Sequence, residues 1–256
     1  MDHFQLRDGE LCAEDVPLAR IADDVGTPVY VYSRATLERH ARVFREALAP
    51  LGRVHLAFAV KANPNLAVLK VMQREGFGAD VVSGGELARA LAAGMPAQDI
   101  VFSGVGKQHW ELVRALDAGI GQFNLESEEE GEELSTLAAG RGDVAACALR
   151  VNPDVDAGTH DKISTGKADN KFGVPIGQAA AIYARLAVLP GLEMRGLAVH
   201  IGSQLSDLAP LERAFGKLGQ LLAEVRAAGG TVTHVDLGGG LGVPYKPGDV
   251  MPSPAE

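Results

Sequence analysis

The segment Ala57-Phe58-Ala59-Val60-Lys61-Ala62-Asn63-Pro64-Asn65 decides how this chain is read. His55 to Val60 is nearly all apolar, the pattern of a strand covered on both faces, and Pro64 stops it before a helix predicted over Leu66 to Arg74. Strands covered on both faces belong to parallel sheets flanked by helices. The same reading places Lys61 at the mouth of a buried strand, where an ammonium is costly. Desolvation favours the neutral amine of a lysine, and a neutral amine can form a Schiff base with a carbonyl. A lysine that snorkels from a strand end gives the same local pattern, so residues elsewhere must decide.

On both sides of this segment the chain alternates strands and helices. Upstream, Phe4 to Val16 reads as strand, Asp8-Gly9 turn and strand, followed by a short helix over Pro17 to Val25, a strand over Pro28 to Tyr32, and a helix capped by Ser33 and running through Leu37 to Leu48. Downstream, strands are predicted at Ala79 to Val82, Ile100 to Ser103, Gln122 to Leu125, Ala146 to Val151, Met194 to Ile201 and Thr233 to Leu237, with helices between them. Ser83-Gly84-Gly85-Glu86 and Ser127-Glu128-Glu129-Glu130 both have the Ser-x-x-Glu form of a capping box just after a strand. Long spacing between Val151 and Met194 predicts an elaborated loop that includes Thr159 to Gly173. Counted from the Lys61 strand there are seven βα strands, and a TIM-type (β/α)8 barrel needs eight. The next would require a further unit of roughly 30 residues beyond Asp236, whereas the chain stops at Glu256. The expected fold is therefore an α/β barrel truncated before its eighth strand, with a doubly wound open sheet as the alternative.

The chain has 256 residues, 46% of them hydrophobic, enough for a substantial core. A net charge of −9 provides no field to attract nucleic acid or an anionic membrane, so a small-molecule partner is expected. No apolar run has membrane-spanning length and the amino terminus lacks the regions of a signal peptide, which points to the cytoplasm. Cys12 and Cys147 are too few and too far apart for a disulfide framework or thiolate zinc site, and the seven histidines show no metal-ligand spacing, so no metal is expected.

In a parallel barrel the reactive groups gather at the C-terminal ends of the strands. Polar residues fall there repeatedly: Asp80, Asn124, Glu126, Arg150, Asn152, His200, Ser203 and Asp236. Singly they have plain structural explanations, since Glu86 can simply cap a helix, Arg150 can pair with Asp80, and His200 can be a hydrogen-bonded core histidine. Asp236-Leu237-Gly238-Gly239-Gly240-Leu241-Gly242 offers backbone N–H groups unobstructed by side chains, a seat for a phosphate on the seventh strand. Its glycine spacing is not the dinucleotide pattern GxGxxG. A lysine on the first strand, a histidine on the sixth and a phosphate loop on the seventh describe a pocket for pyridoxal 5'-phosphate.

Six ordered segments then carry a resemblance: AFAVKANPN (57–65), DVVSGGEL (80–87), RVNP (150–153), KFG (171–173), HIGSQ (200–204) and DLGGGLG (236–242). Together they resemble the signature segments of the fold-type III, alanine-racemase-like pyridoxal phosphate decarboxylases, over the chain from about Val16 onward. The likeness is greatest to members that convert meso-diaminopimelate to L-lysine and carbon dioxide. It implies that Lys61 holds the cofactor as a Schiff base, that His200 stacks on its ring, and that Ser203, Gly238, Gly239 and Gly240 bind its phosphate. Asp80, Glu86 and Arg150 would line the polar side of the pocket. The resemblance also implies a homodimer when full length, with residues 28–256 forming the cofactor barrel and residues 1–27 a first piece of the family's β-domain plus a lead-in helix. Two of the family's segments do not occur in this sequence, the Glu-Pro-Gly-Arg of the eighth strand and the Cys-Glu-Ser of the C-terminal β-domain. Cys147, inside a predicted strand, reads as a small core residue. The expectation is thus a fragment that lacks most of the β-domain and is inactive alone. Decarboxylation of another basic amino acid of the ornithine or arginine type, and a non-catalytic carrier of the cofactor, are the competing readings.

Overall fold

The computed structural model describes residues 3–156, 166, 172–246 and 248–256. The amino-terminal strands β1 (Phe4–Arg7), β2 (Glu10–Ala13) and β3 (Val16–Pro17) form a small antiparallel sheet of their own. Asp8 and Gly9 both take positive φ, 51° and 86°, which matches the twist of a two-residue hairpin turn. Helix α1 (Leu18–Val25) follows, then α2 (Arg34–Leu48), whose first turn is capped by Ser33 accepting from Thr36 N. Glu14 ties the hairpin to this helix, accepting from Ala35 N at 2.9 Å and from the Ser33 hydroxyl at 2.8 Å. These two bonds, the backbone one foremost, hold its carboxyl below the usual range.

The strand expected at Pro28 to Tyr32 does not form. Its valine and tyrosine content suits a strand, but Tyr30 is 89% exposed and no neighbouring edge pairs with the segment. Strand propensity is mostly a preference for a pleated, half-covered surface, and Pro28 contributes no N–H to a ladder.

The main sheet contains β4 (Ala57–Ala59), β5 (Gly78–Val81), β6 (Ile100–Phe102), β7 (Gln122–Leu125), β8 (Ala145–Asn152), a short β9 (Val174–Pro175) beside β8, β10 (Leu192–Val199) and β11 (His234–Asp236). Seven of them follow one path, β4-β5-β6-β7-β8-β10-β11, and every pair on it is parallel. Each strand thus lies beside its predecessor on the path. A doubly wound sheet reverses its order partway, so the sequential order excludes that alternative.

The intervening helices are α3 (Leu66–Arg74), α4 (Gly84–Ala92), α5 (His109–Ala118), α6 (Glu128–Arg141), α7 (Ile176–Leu186) and α8 (Ala209–Ala227). From α2 to α8 each packs against the next, as a helical layer must when the sheet inside it curls. Leu69, Leu87, Leu112, Leu134 and Leu186, one from each of α3 to α7, are fully buried in one continuous core with the strands. Among the described residues β4 pairs only with β5 and β11 only with β10, so the curl is a TIM-type barrel left open between its first and seventh strands. Most of the expected loop 159–173, including Lys171, lies outside the described residues. No helix among the described residues is long and apolar enough to cross a membrane.

Candidate active site

The seven strands point their C-terminal ends the same way, and hydrogen bonds, an ion pair and mutual charge effects join Asp80, Asn124, Glu126, Arg150, His200 and Asp236 there; Asn152, at the end of β8, accepts from Asp154 N. Lys61 departs from expectation. The strand ends at Ala59, Lys61 sits in the 3-10 turn Val60–Ala62, and it is exposed rather than covered. The cause is position: among the described residues β4 ends the sheet and is paired on one side, so Ala57 is exposed and Phe58 half-buried although Leu56 and Val60 are buried. An apolar run cannot by itself report whether a strand lies inside a sheet or at its margin.

The charge of Lys61 nevertheless acts inside the site. Asp80, at the end of β5, has its carboxyl pushed up to about 6, chiefly by burial; the Ser103 hydroxyl, which donates to it at 2.5 Å, opposes this, Asp236 adds to it, and the cations of Lys61 and Arg150 oppose it. His200, just past β10, is pushed down to about 4, first by burial and then by Arg150 and Lys61, with Asp236 opposing. Lys61, Asp80, Arg150, His200 and Asp236 therefore share one electrostatic neighbourhood. At neutral pH His200 is an uncharged ring. Its Nδ1 faces Gly239 N–H at 3.3 Å and accepts from it, which leaves the ring proton on Nε2.

Arg150 is buried on β8 and pairs with Glu126 at 2.6 Å, not with Asp80. Glu126 is itself buried and accepts from Gly104 N and Gly173 N, both at 3.0 Å, so one carboxylate joins the loop after β6, the guanidinium and the segment entering β9. The guanidinium carbon lies 5.0 Å from the centre of the Phe172 ring, a cation-π contact that adds to its fixation. Glu86 accepts from Val82 N at 2.8 Å while its own N–H donates to Ser83 Oγ, so its carboxylate closes the first turn of α4. The second capping box also opens up: Ser127 caps α6 as expected, but Glu130 binds the buried ammonium of Lys107 at 2.6 Å. Lys107 in turn donates to Gly104 O and Asn124 O, which fixes the loop between β6 and α5.

Ser103 and the bridging role of Asn124 escaped the sequence reading. Asn124 donates to Ser103 Oγ at 3.0 Å and to Asp236 Oδ2 at 2.8 Å, and Ser103 passes the chain on to Asp80. The available signal was positional: Ser103 directly follows β6, where a strand-end polar residue faces the same region as Asp80 and Asn124. Cys147 lies in β8, fully buried, and burial pushes its thiol far up, as suits a small core residue.

Gly238 and Gly240 have φ of 69° and 107°, and a Cβ on them would stand 2.4 Å from Val199 O and 2.0 Å from Gly202 O. Only glycine lets the loop fold back so closely against the residues after β10. Gly239 differs: a Cβ there would meet nothing within 4 Å, and Ser203 beside the loop is exposed. The loop therefore has a tightly seated back, with Gly238 N–H on Asp236 and Gly239 N–H in a long bond to His200, and open space in front of Gly239, a backbone concavity suited to a phosphate. With an amine, a neutral flat ring and a buried arginine nearby, these residues fit the demands of pyridoxal phosphate.

A parallel βα barrel with its titratable groups gathered at the strand ends is the plan of a barrel enzyme. The family model described as "Pyridoxal-dependent decarboxylase, pyridoxal binding domain" matches residues 34–253, and the chain belongs to that family. Among its relatives is the diaminopimelate decarboxylase of Zymomonas mobilis subsp. mobilis, 52% identical over 98% of this chain and 60% of the relative. The crystal structure of diaminopimelate decarboxylase from M. jannaschi superposes with a TM-score of 0.93 at 34% identity, covering 99% of this chain and 60% of that one. The Helicobacter pylori diaminopimelate decarboxylase, in complex with L-lysine, gives 0.89 at 36% identity, covering 93% and 60%. The chain thus spans about 60% of the length of the relatives it matches.

Proposed function

We propose that this chain is the cofactor-binding barrel of a decarboxylase that converts meso-diaminopimelate to L-lysine and carbon dioxide. The observation that carries the reading is the convergence of Lys61, Asp80, Arg150, His200 and Asp236 on one electrostatic site beside the Gly238–Gly240 loop. In this reading residues 28–256 are the barrel, residues 1–27 begin a second domain, and the whole protein acts as a cytoplasmic homodimer. The identity to named diaminopimelate decarboxylases over nearly the whole chain supports the substrate.

Lys61 holds the cofactor through its amine, and its exposed position at the barrel mouth leaves that amine accessible. Ser203 and the Gly238–Gly240 loop take the phosphate: Gly238 N–H stays on Asp236 and shapes the loop, while Gly240 N–H, and Gly239 N–H on leaving its long 3.3 Å bond to His200, are the backbone donors. His200, neutral above about pH 4, lays an uncharged face against the cofactor ring. Arg150, held by Glu126, and Asp80 line the polar side, and Glu86 keeps the α4 end of that wall closed. Bound there, the cofactor supplies an electron sink for the pair left when the α-carboxylate departs as carbon dioxide. Asp80, titrating near pH 6 beside the Lys61 charge, is the side chain placed to hold a proton or release one close to that amine.

Borohydride reduction of the cofactor-loaded protein followed by peptide mapping tests the anchor. Label is expected on Lys61, and label on another lysine would overturn it. Lys61→Arg should lose the label as fully as Lys61→Ala, because a guanidinium stays protonated. Carbon dioxide release by the whole protein from meso-diaminopimelate, ornithine, arginine and alanine tests the substrate, and a higher kcat/KM for any of the other three would refute it.

A further inference from the structure

Strands β7 and β11 do not pair, yet one side chain joins them across the interior of the curl. Asn124 is 3% exposed and has both ends of its amide engaged. Its Nδ2 donates to Asp236 Oδ2 at 2.8 Å and Ser103 Oγ at 3.0 Å, and its Oδ1 accepts from Gln122 Nε2 at 2.8 Å. Asp236 uses its other oxygen, Oδ1, to accept from Gly238 N at 2.8 Å. Backbone pairing leaves the strand that carries the glycine loop weakly fixed, since β11 is three residues long and, among the described residues, pairs only with β10. A carboxylate at its end could rotate away from Gly238 unless something pinned the oxygen on the opposite side.

Resting on the phosphate-seat reading above, we propose that Asn124 is a positioning residue for that seat: it sets the orientation of Asp236, which fixes Gly238 N–H and with it the loop that receives the phosphate. The residue type suits the task. An ionised aspartate in its place could not donate to Asp236, alanine could offer nothing, and a cation would add charge to a site already holding Lys61 and Arg150. A neutral amide supplies two donors and one acceptor without changing the charge balance around Asp80, Asp236 and His200.

The test measures affinity for pyridoxal 5'-phosphate and for pyridoxal, which lacks the phosphate, by absorbance titration. The proteins are the wild type, Asn124→Ala, Asn124→Asp, and the exchange Asn124→Asp with Asp236→Asn. Wild type should prefer the phosphorylated compound. Both single variants should lose that preference by on the order of tenfold or more, the change for a hydrogen bond to a charged group, while their affinity for pyridoxal holds. The exchange should restore most of the preference, because the amide now on β11 donates back across the interior while its oxygen still accepts from Gly238 N. A packing role for Asn124 would not be rescued in this way, so single losses without rescue would overturn the proposal. Full preference in both single variants would overturn it as well, leaving the seat intact. A wild type that binds the two compounds equally would refute the seat itself.

Discussion

Replacing Asp80 by asparagine should change how stability depends on pH. In the folded chain the Asp80 carboxyl titrates near 6 instead of 3.8. Folding therefore retains a proton that the unfolded chain has released, and stability falls as pH rises from about 4 to about 6. That displacement corresponds to about 3 kcal/mol, an upper figure because neighbouring charges relax. His200 works in the opposite sense. It titrates near 4 in the fold and 6.5 when unfolded, so the unfolded chain takes up the proton first and stability rises with pH over nearly the same interval, again by about 3 kcal/mol. In the wild type the two contributions offset each other between pH 4 and 6. Asp80→Asn keeps an oxygen to accept from Ser103 and removes only the Asp80 slope, exposing that of His200. The difference in unfolding free energy, variant minus wild type, should grow by about 3 kcal/mol between pH 4 and pH 7. Urea unfolding followed by circular dichroism at half-unit pH steps measures it. Parallel curves for the two proteins would refute the claim that Asp80 is held protonated by its burial.

Two further outcomes follow from the same geometry. Glu126→Gln leaves the buried Arg150 guanidinium without its charge partner and turns an amide N–H2 toward one of the two backbone donors, so it should cost about 3 kcal/mol in urea unfolding; a loss under about 1 kcal/mol would show that the guanidinium finds another partner. Gly240→Ala forces a Cβ onto Gly202 O at positive φ and should destabilise by about 2 kcal/mol or more, whereas Gly239→Ala should fold within about 0.5 kcal/mol of wild type and bind pyridoxal phosphate more weakly. Equal stability of the two alanine variants would contradict the close seating of the loop.

The sequence by itself determined the order and kind of nearly every element, because those depend on neighbours within a few residues. The Ser33, Ser83 and Ser127 caps, the Asp8-Gly9 turn and the seven apolar strand runs were all local statements, and all are present. The glycine-rich run after β11 was legible for the same reason: its backbone requirement is written in the absence of side chains. Which residues meet across the sheet was not legible. The pairing of Arg150 with Glu126 depends on how adjacent strands are staggered, and the bond from Asn124 to Asp236 spans 112 positions of chain. Exposure also escaped, since the run before Lys61 has the same composition in a central strand as in an end strand, and Pro28 to Tyr32 has strand-forming side chains without an edge to join. Periodicity records what a segment prefers; only the curl of the sheet decides which segments stand beside one another, and the fields that shift Asp80 and His200 exist only once they do.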